Sequence, residues 1–228
     1  MERQEPAPVR APLAVTAKAI LAWTALAVAI TVPIAVAATS PLLAWRDPPY
    51  VAAGLAGVIA MALLLIQPLL VGGYLPGLPR PRGRRTHRWV GGTLLLAVVL
   101  HVAGLWVTSP PDVVDALLFR SPTPFSIWGV IALWAVFAAA LLAAFRRPLR
   151  LRPLHWRLAH TLLATIVVLG SVVHALLIEG TMGTASKAML CALALAATVW
   201  VVVDLRSWSA LTRRRSTRRR FRGTSDTR

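Results

Sequence analysis

Six long stretches of the chain contain no Asp, Glu, Lys or Arg, and they restrict how it can fold more than any other feature. They are residues 19–45, 48–79, 89–111, 121–145, 158–178 and 188–203. A helix needs about 20 mostly apolar residues to cross a bilayer, within a range of roughly 17–25, so five stretches are long enough. The sixth becomes long enough when it is extended back to Gly180, which adds only Lys187, a side chain that can reach the interface. The sequence therefore predicts six membrane-spanning helices and excludes a soluble globular enzyme.

Helices are expected because backbone groups in lipid must be hydrogen-bonded within their own segment, and the alternating pattern of barrel strands is absent. We predict spans over residues 18–38, 50–72, 87–108, 125–145, 155–178 and 185–204. The predicted organisation is a cytoplasmic N-terminal segment (1–17), a six-helix domain (18–204) and a basic cytoplasmic tail (205–228). The tail is short and polar, so we expect it to be disordered. The segment from Val113 to Phe119 is apolar and is expected to lie along the outer interface.

Basic residues greatly outnumber acidic ones, 25 against 8, which gives a net charge of +17. Such an excess first suggests nucleic-acid binding, but its distribution argues against that. With the N-terminus in the cytoplasm, 22 basic residues fall on the cytoplasmic side, and only Arg46, Arg120 and Lys187 fall outside. This bias is the positive-inside rule. It predicts a multi-pass protein of the cell membrane with both termini in the cytoplasm, whose tail arginines contact anionic lipids.

The chain has five histidines, and four of them repeat one spacing. His87 and His101 are fourteen residues apart in the third predicted span, and so are His160 and His174 in the fifth. On a helix, fourteen residues return to within about 40° of the same face and rise about 21 Å. Each of these helices therefore carries one imidazole near its cytoplasmic end and one in its outer half. Ionisable residues inside membrane helices usually mark a functional site.

The third and fifth spans run in the same direction, and their histidines are offset by the same 73 residues. We therefore expect His87 to lie level with His160 (the inner pair) and His101 level with His174 (the outer pair). Two imidazoles that face each other in a helix bundle can ligate a heme iron from both sides. The spacing predicts two stacked hemes, one near each membrane face, with these four histidines as the iron ligands.

Histidines inside a membrane can also serve in zinc sites, in helix packing or in proton relay. A zinc site fits poorly, because ligands fourteen residues apart on one helix cannot reach one ion through bonds of about 2 Å. Packing or proton relay can account for any single histidine, as in a heme-free transporter or scaffold. Two separate pairs with one spacing, however, would arise only about once in several hundred random placements of five histidines. His155 lies outside the pattern, and we expect it to be a solvated interfacial residue.

Several arginines lie at the depth of the inner pair. Heme propionates are carboxylates, and guanidinium groups are well suited to bind them. Arg88 and Arg157, together with Arg84 and Arg85, are therefore candidate propionate contacts, although the positive-inside rule explains them equally well.

Small and aromatic residues give weaker signals. Gly91, Gly92 and Gly104 could admit a flat macrocycle or a neighbouring helix. Most tryptophans, Trp156 among them, lie near the ends of spans, as in the aromatic belts of membrane proteins. Cys191 is the single cysteine, so an intramolecular disulfide is excluded and we expect it to pack in the interior.

The histidine-bearing segments resemble the ferric reductase-like transmembrane domain family, which includes the membrane parts of ferric reductases and NADPH oxidases. In the third span the resemblance lies in Thr86–Gly91 and Leu100–Val102, and in the fifth in Trp156–His160 and Val173–Leu177. It extends over about residues 76–204, with the first two spans similar only in architecture. The resemblance implies a six-helix bundle that holds two b-type hemes between the four histidines. It also implies that electrons pass from the cytoplasmic side to the outer side.

Many members of that family continue into a cytoplasmic flavin- and nicotinamide-binding module. This sequence stops at Arg228 and has no Gly-x-Gly-x-x-Gly fingerprint. We therefore expect an oxidoreductase component that takes electrons from a separate flavoprotein or a membrane quinol. The outer acceptor would be a ferric chelate, oxygen or an exported reductase. One alternative is a heme subunit dedicated to an exported reductase such as methionine-sulfoxide reductase, and an alternative of another class is the heme-free transporter or scaffold.

Overall fold

The computed structural model describes residues 13–225, with side chains described for residues 17–204, and all regular structure in this part of the chain is helical. Its seven α-helices are α1 (Leu13–Ala38), α2 (Pro48–Gly72), α3 (Arg80–Thr108), α4 (Pro110–Leu117), α5 (Pro124–Phe145), α6 (Pro153–Leu177) and α7 (Thr184–Ser225). A short 3-10 helix, Pro41–Leu43, connects α1 to α2. All except α4 contain a segment long and apolar enough to cross a membrane, which makes six candidate spans among the described residues. The predicted all-α architecture with six spans is confirmed.

Prolines begin most of these helices, because proline in the first turn presets φ near −65° and loses no helical hydrogen bond there. Helices α2 to α6 all have proline at their first or second position. Helix α2 is capped at its C-terminus by Gly73, which has a φ of 72° and whose N–H donates to the Leu69 carbonyl at 3.1 Å. Glycine adopts this left-handed conformation without steric cost, so it terminates the helix sharply.

Helix α3 begins at Arg80, earlier than the predicted span, which starts at residue 87. Pro79 occupies the cap position in an extended conformation, and Pro81 lies in the first turn. Gly83 in the next turn is buried where α3 crosses α2, because a Cβ at this position would collide with the Leu70 carbonyl oxygen. Part of the segment between the second and third predicted spans is therefore helical, and His87 lies well inside α3.

Two pairs of neighbouring helices form the body of the bundle. Helix α2 packs along α3, and α5 packs along α6, while α7 contacts both α2 and α6. Helix α1 lies against α2 and α7. Among the described residues, α3 and α6, which carry the four histidines, are not in extensive backbone contact. The shared core is formed by side chains from most of these helices, including Leu65, Leu94, Val136, Val168 and Leu190.

Many large apolar side chains remain on the outside of the bundle. Large apolar side chains within the spanning helices are each more than half exposed, among them Leu21, Leu96, Leu141, Leu162 and Val199. Soluble proteins rarely expose apolar surface on this scale, whereas lipid covers it without cost. Together with the six candidate spans, this surface identifies a multi-pass membrane protein.

An ion pair connects the start of α3 to α7. The Arg80 guanidinium donates from Nε to the Gly72 carbonyl at 3.1 Å and forms an ion pair with Asp204 through Nη2 at 3.3 Å. At the opposite end of α7, Lys187 is buried and its ammonium donates to the Ile178 carbonyl, just beyond α6. The ammonium therefore lies at the end of α6, and the expectation that Lys187 reaches the interface stays a prediction. Cys191, one turn further on, is buried as expected.

Helix α4 occupies the predicted outer loop between α3 and α5. It covers Pro110–Leu117 and buries Val113, so the apolar segment expected there is helical and partly packed against the bundle.

At the C-terminal end of the chain, α7 continues to Ser225 through most of the segment predicted to be a disordered tail (205–228). The side chains of that tail, and most of the predicted N-terminal segment (1–17), lie outside the described residues, so the domain boundaries stay predictions.

Candidate functional site

The four repeated histidines meet in two pairs between α3 and α6. The ring centroids of His87 and His160 are 6.2 Å apart, and those of His101 and His174 are 6.4 Å apart. The two rings of the inner pair are inclined at 79°, and those of the outer pair at 82°. His87 therefore lies level with His160, and His101 with His174, as the equal offset of 73 residues predicts.

The distances within each pair fit a metal ion between the two rings. A metal bound by two opposed imidazole nitrogens at about 2 Å each places the ring centroids about 6.2 Å apart, because the ring radius is about 1.1 Å. The observed 6.2 and 6.4 Å agree with that arrangement. Nearly perpendicular rings are compatible with it as well, because both ring planes can contain the axis through the metal.

The small number of protein ligands argues for a heme rather than a bare ion. No group of three or more His, Cys, Asp or Glu side chains that could hold a metal occurs in the part of the chain that the structure describes. Each pair offers only two nitrogens, whereas zinc sites use three or four protein ligands. A porphyrin brings four nitrogens of its own, so its iron needs only two axial ligands from the protein. The donor set therefore fits heme.

The outer pair is oriented by main-chain carbonyls. Nδ1 of His101 lies 2.8 Å from the Ala53 oxygen on α2, and Nδ1 of His174 lies 2.9 Å from the Phe125 oxygen on α5. A carbonyl oxygen only accepts, so Nδ1 must carry the proton in both rings. Nε2 is then the unprotonated nitrogen that can bind a metal. Hydrogen bonds of this kind fix the tautomer and orientation of ligating histidines.

The inner pair is held differently. Nδ1 of His87 and Nδ1 of His160 are buried, and neither has a hydrogen-bond partner among the described residues. The His160 ring instead stacks on the indole of Trp156, with centroids 5.4 Å apart and planes inclined at only 10°. The guanidinium of Arg146 lies over the same indole, 4.3 Å from the ring centroid. An arginine, an indole and the imidazole are therefore layered from the end of α5 towards the inner pair.

Sequence reasoning missed these contacts of the inner pair. It assigned Trp156 to an interfacial belt, although its position four residues before His160 places both on one helix face. It also passed over Gln67, a buried amide in an apolar helix, whose Oε1 has no hydrogen-bond partner among the described residues. The Nε2 of Gln67 lies close to Gly91, one turn from His87. A single glutamine within a long apolar stretch could have identified Gln67 from the sequence as a buried polar residue.

The remaining predicted site residues lie at the surface. Arg88 and Arg157, like Arg84 and Arg85, are exposed at the end of the bundle where α3 and α6 begin. Their proposed contacts with propionates stay predictions. His155 is also exposed, as expected, and takes no part in either pair.

The glycines named from the sequence have unequal surroundings. Gly104 lets α2 approach closely, because a Cβ there would lie 2.8 Å from the Ala53 Cβ and 2.9 Å from the Pro49 oxygen. At Gly92 a Cβ would have nothing within 4 Å, so this glycine serves no close contact among the described residues.

Comparison with known proteins adds one finding. The family described as "Ferric reductase like transmembrane component" matches residues 53–171, which is more than half of the chain. The match includes His87, His101 and His160, and ends three residues before His174. No curated protein and no solved structure shows significant similarity to the chain. The fold and the family match together show that this chain belongs to the ferric reductase-like transmembrane component family.

Proposed function

We propose that this protein carries electrons across a membrane by means of two b-type hemes, with His87 and His160 as axial ligands of the inner heme and His101 and His174 as those of the outer heme. The observation that carries the proposal is the pair of inter-ring distances, 6.2 and 6.4 Å, in a member of the ferric reductase-like family. When bound, heme supplies an iron that accepts and releases single electrons.

The residues of the chain have distinct tasks in this proposal. The four imidazoles would hold the two hemes, and the carbonyls of Ala53 and Phe125 keep the outer rings in the tautomer whose Nε2 can bind a metal. The apolar helices around the pairs exclude water, which lowers the local dielectric constant. Arg88 and Arg157 are proposed to bind propionates of the inner heme, for which their position next to the inner pair is the support.

The proposed orientation places both termini in the cytoplasm of a cell with this protein in its plasma membrane. Its support is the distribution of basic residues between the two sides. Electrons would enter from a separate flavoprotein or a membrane quinol near the inner pair. They would leave near the outer pair to a ferric chelate, oxygen or an exported reductase.

Absorption spectroscopy of the purified protein tests the proposal. After expression with adequate heme supply, we expect a reduced sample to show a shifted Soret band and a sharp α band, with about two hemes per chain. A protein that folds and purifies well but shows neither band would refute heme-mediated transfer. The heme-free transporter or scaffold would then fit the chain better.

A further inference from the structure

Two glycines lie directly against the rings of the outer pair. A Cβ at Gly57 on α2 would be 3.0 Å from Nδ1 of His101, and a Cβ at Gly129 on α5 would be 2.6 Å from Nδ1 of His174. Each glycine lies four residues after the carbonyl that the same ring contacts, Ala53 on α2 and Phe125 on α5. The same local arrangement therefore occurs twice, on two different helices.

Helix geometry explains why glycine is needed four residues after the accepting carbonyl. The side chain of a helical residue covers the turn that precedes its own Cα. A Cβ at position i+4 therefore covers the carbonyl at position i, and it hinders a third group from reaching the free lone pair of that oxygen. With glycine at i+4, the imidazole N–H can approach the carbonyl although the oxygen already accepts a helical hydrogen bond.

The inner pair lacks this arrangement. Fourteen residues separate the two levels along a helix. The inner counterpart of Gly57 on α2 is therefore Val71, and that of Gly129 on α5 is Ala143. Both inner positions therefore carry a Cβ. The His87 ring does lie beside the Gln67 backbone, which is the counterpart of Ala53, but without the short Nδ1–oxygen contact that both outer rings make. The outer pair therefore combines glycine with a short hydrogen bond from each ring to a carbonyl, and the inner pair has neither.

We propose that Gly57 and Gly129 are positioning residues that lower the reduction potential of the outer heme, by admitting the outer histidines to main-chain carbonyls. A hydrogen bond from Nδ1–H makes imidazole a more basic ligand. A more basic ligand stabilises ferric iron relative to ferrous iron, so the potential falls. Neither ring of the inner pair makes an Nδ1 hydrogen bond as short as those of the outer pair among the described residues. This inference rests on the proposed function, because it requires two hemes held by the two histidine pairs.

The test compares Gly57→Ala and Gly129→Ala with Gly54→Ala in the heme-loaded protein. Gly54 lies in the same helix as Gly57, and a Cβ there would have nothing within 4 Å, so it is the matched control. Alanine also favours helix over glycine, so helix formation should not suffer. The measurement is a spectroscopic redox titration that resolves two heme components. The component absent from a His101→Ala variant identifies the outer heme.

We expect the outer component to shift to a more positive potential in both variants, with the inner component unchanged and Gly54→Ala indistinguishable from the parent protein. The shift should be larger for Gly129→Ala, because its Cβ would lie closer to the ring, 2.6 Å against 3.0 Å. If Gly129→Ala loses the outer heme, the shift in Gly57→Ala still supports the proposal.

Unshifted potentials in both variants would overturn the inference while leaving the two-heme function intact. An equal shift of both components, or an equal shift in Gly54→Ala, would overturn it as well. Loss of the outer heme from both variants counts against it, because the 3.0 Å contact at Gly57 requires only a small displacement of the ring. A protein that binds no heme in any variant would instead refute the proposed function.

Discussion

Replacing His101 by alanine should remove one heme and spare the other. His101 provides one of the two nitrogens of the outer pair, and its partner ring lies 6.4 Å away, so the substitution leaves a single axial ligand at that level. The inner pair is fourteen residues along the helix, which is about 21 Å. No inner ligand is therefore disturbed. We expect heme content to fall from about two to about one per chain, and the α-band absorbance per protein to fall to about half.

The assay is quantitative heme extraction combined with reduced-minus-oxidised spectra, normalised to protein concentration. His155→Ala is the matched control, because this histidine is exposed and lies at the same end of α6 as the inner pair without belonging to either pair. His101→Met offers a rescue, because methionine is itself an axial ligand of heme and raises the reduction potential. A His101→Ala protein that is folded and still holds both hemes, or that loses both, would refute the assignment of ligands by level.

Three further substitutions test contacts described above. Trp156→Ala removes the ring that stacks on His160, so the reduction potential of the inner heme should change. Trp156→Phe keeps an aromatic ring there and should change the potential less. Equal shifts of the two variants in a redox titration would exclude a role for stacking. Gly104→Ala forces a Cβ against α2 and should cost about 1–3 kcal/mol in the free energy of unfolding, whereas a Cβ at Gly92 would have nothing within 4 Å. Equal losses for Gly104→Ala and Gly92→Ala in thermal unfolding would contradict this packing. Asp204→Asn breaks the 3.3 Å ion pair with Arg80. Because the pair is partly exposed, the free energy of unfolding should fall by no more than about 1 kcal/mol. A fall of several kcal/mol in thermal unfolding would show that the contact is stronger than its exposure allows.

The positions of the four histidines could be predicted because helical periodicity is a local property. Once α3 and α6 are helices that run in the same direction, equal offsets place His87 beside His160 and His101 beside His174. The start of α3 was harder to predict. Basic residues and prolines before residue 87 indicate a loop as readily as a first helical turn.

Contacts between helices could not be read from the sequence. The importance of Gly57 depends on which residue of α2 faces His101, and this follows from how the two helices are set against each other. Gly104 was identified as a site of close approach, but its neighbour, α2, is known only from the packing. Trp156 matched an aromatic belt equally well, so only the 5.4 Å ring separation reveals its contact with His160.

The division of the bundle into two helical hairpins has a consequence for biogenesis. Helices α2 and α3 form one hairpin and α5 and α6 the other, and α7 contacts a helix of each. Each heme would take one ligand from either hairpin, so neither level is complete until the second hairpin has left the ribosome and entered the membrane. A ligand that binds only the assembled form stabilises it in proportion to RT ln(1 + [L]/Kd). Cellular heme supply would then act as a checkpoint on how much of the newly made chain reaches its assembled form.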